Sequence, residues 1–169
     1  MNPLEYAKTM AAYNNWMNGC LYAAGAKLSD EQRKRDLGAF FKSIHGTLNH
    51  LLLADRIWMG RFAQKPFPAR SLDQELYADF DELRAQRERT DQAITEWVNS
   101  LRNADFDGQL SYTSIVNPQP RTCPFWLAAL HFFNHQTHHR GQVTTLLMQN
   151  GVDPGVTDIL LLPTLQAPK

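Results

Sequence analysis

The chain has 169 residues and a mass of 19.3 kDa, the size of one ordinary domain, and a fold of that length buries roughly 70% of the surface its unfolded form exposes. Hydrophobic residues make up 43% and charged residues 20%, which excludes a disordered segment. Lys+Arg and Asp+Glu number 17 each, so the formal net charge is zero; the basic excess with which a compact nucleic-acid binder neutralises phosphates is missing, and nucleic acid is not expected as a partner.

The opening MNPLEYAKTM carries Glu5 early and lacks the apolar stretch of a secretory signal. From Leu4 to Leu28, Leu4, Ala7, Ala11, Met17, Leu21, Ala24 and Leu28 recur at helical spacing, with Asn14 a polar interruption on the same stripe and Cys20 read as a buried packing residue. Ser29 followed by Gln32 is a capping-box pattern for a short helix near 30–35. A long helix over about 40–63 carries Ile44, Thr47, His50, Leu53, Ala54 and Ile57 and stops before Pro66 and Pro68. The stripe Leu72, Leu76, Phe80, Leu83, Thr90, Ile94, Trp97 and Leu101 predicts another helix over about 72–102.

Residues 103–122 lose this period. Asp107-Gly108 and Asn117-Pro118 are turn dipeptides, with Leu110, Tyr112, Ile115 and Val116 between them, so an irregular loop holding two short strands is expected. Pro124 fits the first position of a last long helix that ends before Gly151, and Cys123 fits its N-cap. The remainder is an irregular tail whose ILLL segment at 159–162 is expected to pack back onto the helices. Neither it nor LLLA at 51–54 approaches the length of a membrane span. The fold class expected is all-α, a four-helix bundle with an irregular excursion before the last long helix, in one domain over 1–169. Two cysteines without paired spacing, and no visible signal, point to a cytoplasmic location with reduced thiols and no membrane partner.

Four of the six histidines fall between 131 and 139. At about 100° per residue, His131, His139 and Gln142 lie within about 40° of His135, and His138 within about 60°. Ala128 and Leu146 lie in the same sector, so the polar groups share the face that turns inward. His50 falls with Ala54 and Ile57 on the core side of its own helix, whereas His45, about 140° away, is expected to point to solvent.

Buried imidazoles cost free energy unless each finds a partner. Two His at i and i+4 on one helix and a third from a facing helix form one side of a tetrahedral or octahedral metal shell. Spacing alone leaves both pairs, His131/His135 and His135/His139, open. Glu-x-x-His, His-Glu-x-x-His and Cys-x-x-Cys are all missing, which excludes carboxylate di-iron, zinc-protease and thiolate-metal signatures. Gln142 is placed either to orient a ligand or to bond within its helix, and Asn14 reads as a satisfied core amide. Arg87 interrupts the stripe of its helix and reads as a long side chain reaching solvent from the bundle edge, with recognition of an anionic substrate as the alternative. Trp16, Trp58 and Trp126 read as core or dimer-interface aromatics.

Three blocks, AYNNWMNGCLYAA (12–24), FFKSIHGTLNHLLLADRIWMGRF (40–62) and HFFNHQTHHRGQVTTLL (131–147), occur in an order and spacing that resemble the DinB-like (DNA-damage-inducible, YfiT-like) family over nearly the whole chain. The resemblance implies a four-helix bundle, commonly a homodimer, with one divalent transition metal ion, nickel or zinc first and iron or manganese next. The family's ligand pattern falls on His50, His135 and His139, leaving His131 and His138 as hydrogen-bonding or packing neighbours. Characterised relatives imply a transferase or isomerase that uses a low-molecular-weight thiol (mycothiol, bacillithiol or glutathione) and an electrophilic small molecule. The alternatives are a metal-dependent hydrolase and a non-catalytic metal- or ligand-binding stress-response protein. No catalytic residue is assigned from the sequence.

Overall fold

A computed structural model describes residues 2–115 and 119–166, so Val116 and the Asn117-Pro118 turn lie outside the described residues. Four long helices dominate: α1 (Pro3–Gly25), α3 (Ile44–Phe62), α4 (Phe80–Ser100) and α5 (Phe125–Gln149). The short α2 (Asp30–Lys34) and α6 (Pro163–Gln166) complete the helical set. α1 packs against α4 and α5, and α3 against α5 and α4. The all-α expectation needs correction, because β1 (Gln109–Thr113) pairs antiparallel with β2 (Pro120–Pro124), Leu110 opposite Cys123 and Tyr112 opposite Arg121. Among the described residues no helix is long and apolar enough to cross a membrane.

Side-chain caps set most of the helix starts. Asn2 accepts from the Leu4 and Glu5 amides, Ser43 from Gly46 and Asp79 from Glu82, and Ser29 and Gln32 form the reciprocal box foreseen for α2. Gly151 follows α5 at φ +75°, the left-handed conformation a glycine takes without steric cost. Pro124 itself stands at the N-cap of α5, one residue before the expected position. Cys123 is thus a strand residue and not the cap; its partial burial raises the thiol pKa, the reverse of an activated thiolate. Cys20 is half-buried, less than expected for a core residue. Of the ILLL segment, Ile159 and Leu162 pack inward while Leu160 and Leu161 are exposed.

The largest departure from the sequence reading is residues 72–79. The apolar spacing of Leu72, Leu76 and Phe80 predicts helix there, yet α4 begins only at Phe80. The backbone of this segment bonds instead to side chains of α3. Asn49 Oδ1 accepts from the Leu76 and Tyr77 amides at 2.9 and 3.0 Å. The Tyr77 carbonyl in turn accepts from His45 Nε2 at 2.9 Å and Asn49 Nδ2 at 3.0 Å. The segment therefore lies over α3 and buries His45, correcting the expectation that this ring points to solvent.

The interior has three levels. Leu21, Leu48, Leu52, Phe80, Leu83 and Leu147 belong to one apolar cluster, and Met10, Met17, Ile94, Phe106, Phe132 and Phe133 to the other. Between the two clusters each long helix carries buried polar residues: Asn14 and Asn18 on α1, Asp55 on α3, Arg87 and Asp91 on α4, Gln136 and Arg140 on α5. Arg87 pairs with Asp55 at 2.7 Å and Asp91 at 2.8 Å. Asn14 and Asn18 donate to Asp91, Gln136 donates to Asp55 at 3.0 Å, and Arg140 donates to Asn14 Oδ1.

Two guanidinium groups thus balance two carboxylates inside the protein. Burial alone would lower the pKa of Arg87, but Asp91 and Asp55 beside it hold the guanidinium above its ordinary value. Both sequence readings of Arg87, edge snorkelling and anion recognition, are therefore corrected: it is 2% exposed and spent on internal partners. Asn14 is the satisfied core amide that was expected.

Candidate metal centre

The histidines lie at the same level as this polar layer, one position before Gln136 and one before Arg140 on α5. Nε2 of His135 lies 3.3 Å from Nε2 of His50 and 3.1 Å from Nε2 of His139. The candidate ligand atoms of all three residues fall within 4.8 Å of one another, so the cluster can hold a metal ion. Two nitrogens bound to one ion at about 2.0–2.1 Å, at angles between octahedral and tetrahedral, are about 2.9–3.4 Å apart. Both observed separations fall in that range.

The outer nitrogens fix which way the lone pairs face. Nδ1 of His50 lies 2.8 Å from the Leu72 carbonyl oxygen, and Nδ1 of His139 lies 2.7 Å from Oε1 of Gln142. An oxygen without a hydrogen can only accept, so each Nδ1 carries the proton and each neutral ring presents an Nε2 lone pair to the centre. His135 Nε2 faces both. If it carries a proton it can donate to one neighbour; if not, three lone pairs converge. Neither state satisfies all three nitrogens, whereas one cation does. The bond to Leu72 comes from the segment that was expected to be helical, and an α4 starting at 72 would not have supplied it.

Burial keeps the rings neutral. Desolvation, with the neighbouring imidazoles adding to it, lowers His135 to about 3; desolvation opposed by the Leu72 bond lowers His50 to about 4; and burial also lowers His139. Below about pH 6.5 an unfolded chain protonates these residues before the folded chain does, so the metal-free protein is expected to lose stability as pH falls from 6.5 towards 4. The loss levels off once the folded rings titrate. Denaturation midpoints measured in chelator at pH 7, 6 and 5 check this. Proton competition for the ligands also begins lower than for exposed imidazoles, so half-release of a bound ion is expected below pH 6.

Phe41 covers the site on one side, stacked on His50 with ring centroids 3.7 Å apart and an interplanar angle of 16°. Its approach depends on Gly46, where a Cβ would strike the Phe41 carbonyl oxygen. On the other side a cavity of about 260 Å³ opens against His50 and His135. His131 lines it and packs against Trp58, with ring centroids 4.9 Å apart and the planes tilted by 53°. His138 is exposed, with Nε2 3.4 Å from the Gln142 amide. The sequence reading missed Phe41, Leu72 and the charged layer. A signal for the last was the pair Arg87/Asp91, one turn apart on an otherwise apolar stripe.

The chain is similar to known proteins in sequence and in fold. A sequence model of the DinB family matches residues 1–169. Protein DinB of Bacillus subtilis (strain 168) is 26% identical over 157 residues, covering 91% of each chain. The crystal structure of a DinB-like protein from Bacillus cereus ATCC 10987 has a similar fold, with a TM-score of 0.62 at 20% identity, over 83% of this chain and 90% of that one.

Proposed function

The chain belongs to the DinB family, and from that membership and the three converging imidazoles we propose that it is a four-helix bundle holding one divalent transition metal ion, nickel or zinc first, on His50, His135 and His139. The observation that carries this reading is the convergence of three Nε2 atoms, two of them on rings whose Nδ1 protons are already committed to oxygen acceptors. The ligand set is neutral, and among the described residues no fourth His, Cys, Asp or Glu joins it. Such a set leaves the ion its full charge and open positions, the arrangement of catalytic rather than structural sites.

The reaction class proposed is transfer of a low-molecular-weight thiol to an electrophilic small molecule. A bound divalent ion supplies a Lewis-acid centre where a thiol is held deprotonated near neutral pH. The residues do the remaining work. The Leu72 carbonyl and Gln142 fix ring orientation and tautomer, as outer partners of metal-binding histidines do. Phe41 excludes water from one side of His50, and the 260 Å³ cavity gives a ligand access to the other. Incubating metal-loaded protein with mycothiol, bacillithiol or glutathione and a panel of electrophiles tests the reading. Metal uptake with no turnover favours the non-catalytic binding protein, and turnover that needs no thiol favours the hydrolase.

A homodimer is the assembly proposed, on the face where Trp126, Leu127 and Leu130 stand 50%, 42% and 41% exposed at the start of α5. Trp126 and Leu130 also line an apolar cavity of about 330 Å³ with Tyr6 and Phe106. Light scattering is expected to give twice the chain mass for the wild type and the single-chain mass for Trp126→Glu. A monomeric wild type contradicts this.

A further inference from the structure

The cavity that meets His50 and His135 also has a cation in its wall. Arg61 lines it, together with Ala54, Ile57 and Leu72, and also lines an adjoining cavity of about 330 Å³ that runs along β1. The guanidinium carbon lies 4.4 Å from the ring centroid of Trp58 and 4.4 Å from that of Tyr112. Aromatic rings hold the flat ion in place through its π face and do not use up its in-plane N–H donors.

No carboxylate of a described residue pairs with this charge. Among the described residues the ion pairs of arginines involve Arg33, Arg84, Arg87 and Arg102, and not Arg61. Burial lowers the pKa of Arg61, Tyr112 beside it opposes that, and a second cation, Arg121, which stands opposite Tyr112 in the hairpin, lowers it further. A half-buried guanidinium beside another arginine, held only by aromatic faces, gains from an arriving anion what no described carboxylate supplies. The cavity that Arg61 shares with His50 and His135 holds about 260 Å³, so the part of the ligand lying between them is small.

We infer that Arg61 is the carboxylate-binding end of the site: a small organic acid seats its carboxylate on the guanidinium and directs its other end to the three imidazoles. The planar fork of donors matches a carboxylate edge. The direction of the second end rests on the metal reading above; the carboxylate site does not. The site therefore selects acids over uncharged molecules of the same shape.

The test uses 3-mercaptopropionate and its amide, which differ in charge and hardly in size. Each is titrated into cobalt-loaded protein, followed by thiolate-to-cobalt absorption, and into metal-free protein, followed by tryptophan fluorescence. The acid is expected to bind at least tenfold tighter than the amide. Arg61→Met is expected to bring that ratio close to one with cobalt affinity unchanged, and Arg61→Lys to retain part of it. Equal binding of acid and amide by the wild type overturns the inference without recourse to any variant, as does a ratio that survives Arg61→Met. Inorganic phosphate competing as well as the acid overturns the carboxylate assignment. If the protein takes up no cobalt, the metal reading fails alone, and the fluorescence titration of the metal-free protein still decides on Arg61 by the same ratio.

Discussion

Replacing His135 by alanine is expected to weaken divalent-metal binding by about 100-fold or more while leaving the metal-free protein folded. His135 is the central ring, with its Nε2 3.3 Å from that of His50 and 3.1 Å from that of His139. Apparent binding free energies of four-ligand zinc sites are about 10–16 kcal/mol, or about 3 kcal/mol for each ligand, and about 1.4 kcal/mol is a tenfold change in affinity. The same variant separates metal from packing. At a hundred times the dissociation constant a bound ion stabilises the folded state by about 2.7 kcal/mol. For a chain of this length that raises the melting temperature by roughly 5–10 °C. The wild type is expected to show this rise on adding nickel or zinc, and the variant at the same metal concentration no more than about 1–2 °C. In chelator the two should melt within a few degrees of one another, because the substitution also removes converging lone pairs. A variant that keeps the metal-induced rise would place the ion elsewhere.

The second large effect lies one layer away. Arg87→Met is expected to destabilise the protein by about 3–5 kcal/mol, the cost of leaving a buried charge without its partner. In melting temperature this is roughly 6–20 °C. The carboxylates of Asp55 and Asp91 would then face each other's charge with only amides and Arg140 to offset it. Their pKa values rise in the variant, so protonation stabilises it as pH falls, and the gap to the wild type is expected to narrow between pH 7 and 5. Denaturant titrations at the two pH values measure both. A loss below about 1 kcal/mol, or a gap that widens in acid, would contradict the assignment of a charged, mutually dependent layer.

This layer also marks where reading the sequence runs out. Apolar residues at helical spacing made the four long helices legible, and the inward sector of 124–150 narrowed the histidines to a few. Choosing His135 and His139 over His131 and His135 took the resemblance. Asp55, Asp91 and Arg140 were not legible, because a charged residue on a helix ordinarily faces water and only tertiary placement turns it inward. Arg87 misled for the same reason.

Residues 72–79 failed differently. Their spacing fits a helix, but Asn49 and His45 offer the backbone better-placed partners than another turn would. Asp79 with Glu82 three residues later was the overlooked start signal for α4. That one misread segment carried two consequences, the burial of His45 and the Leu72 carbonyl that orients His50.

X-ray absorption of protein loaded with one equivalent of zinc addresses the three-imidazole centre most directly. Three imidazole nitrogens at about 2.0–2.1 Å are predicted for the wild type, and no more than two for His135→Ala. A shell of oxygen ligands alone, or a spectrum that His135→Ala leaves unchanged, would contradict a metal site built on His50, His135 and His139.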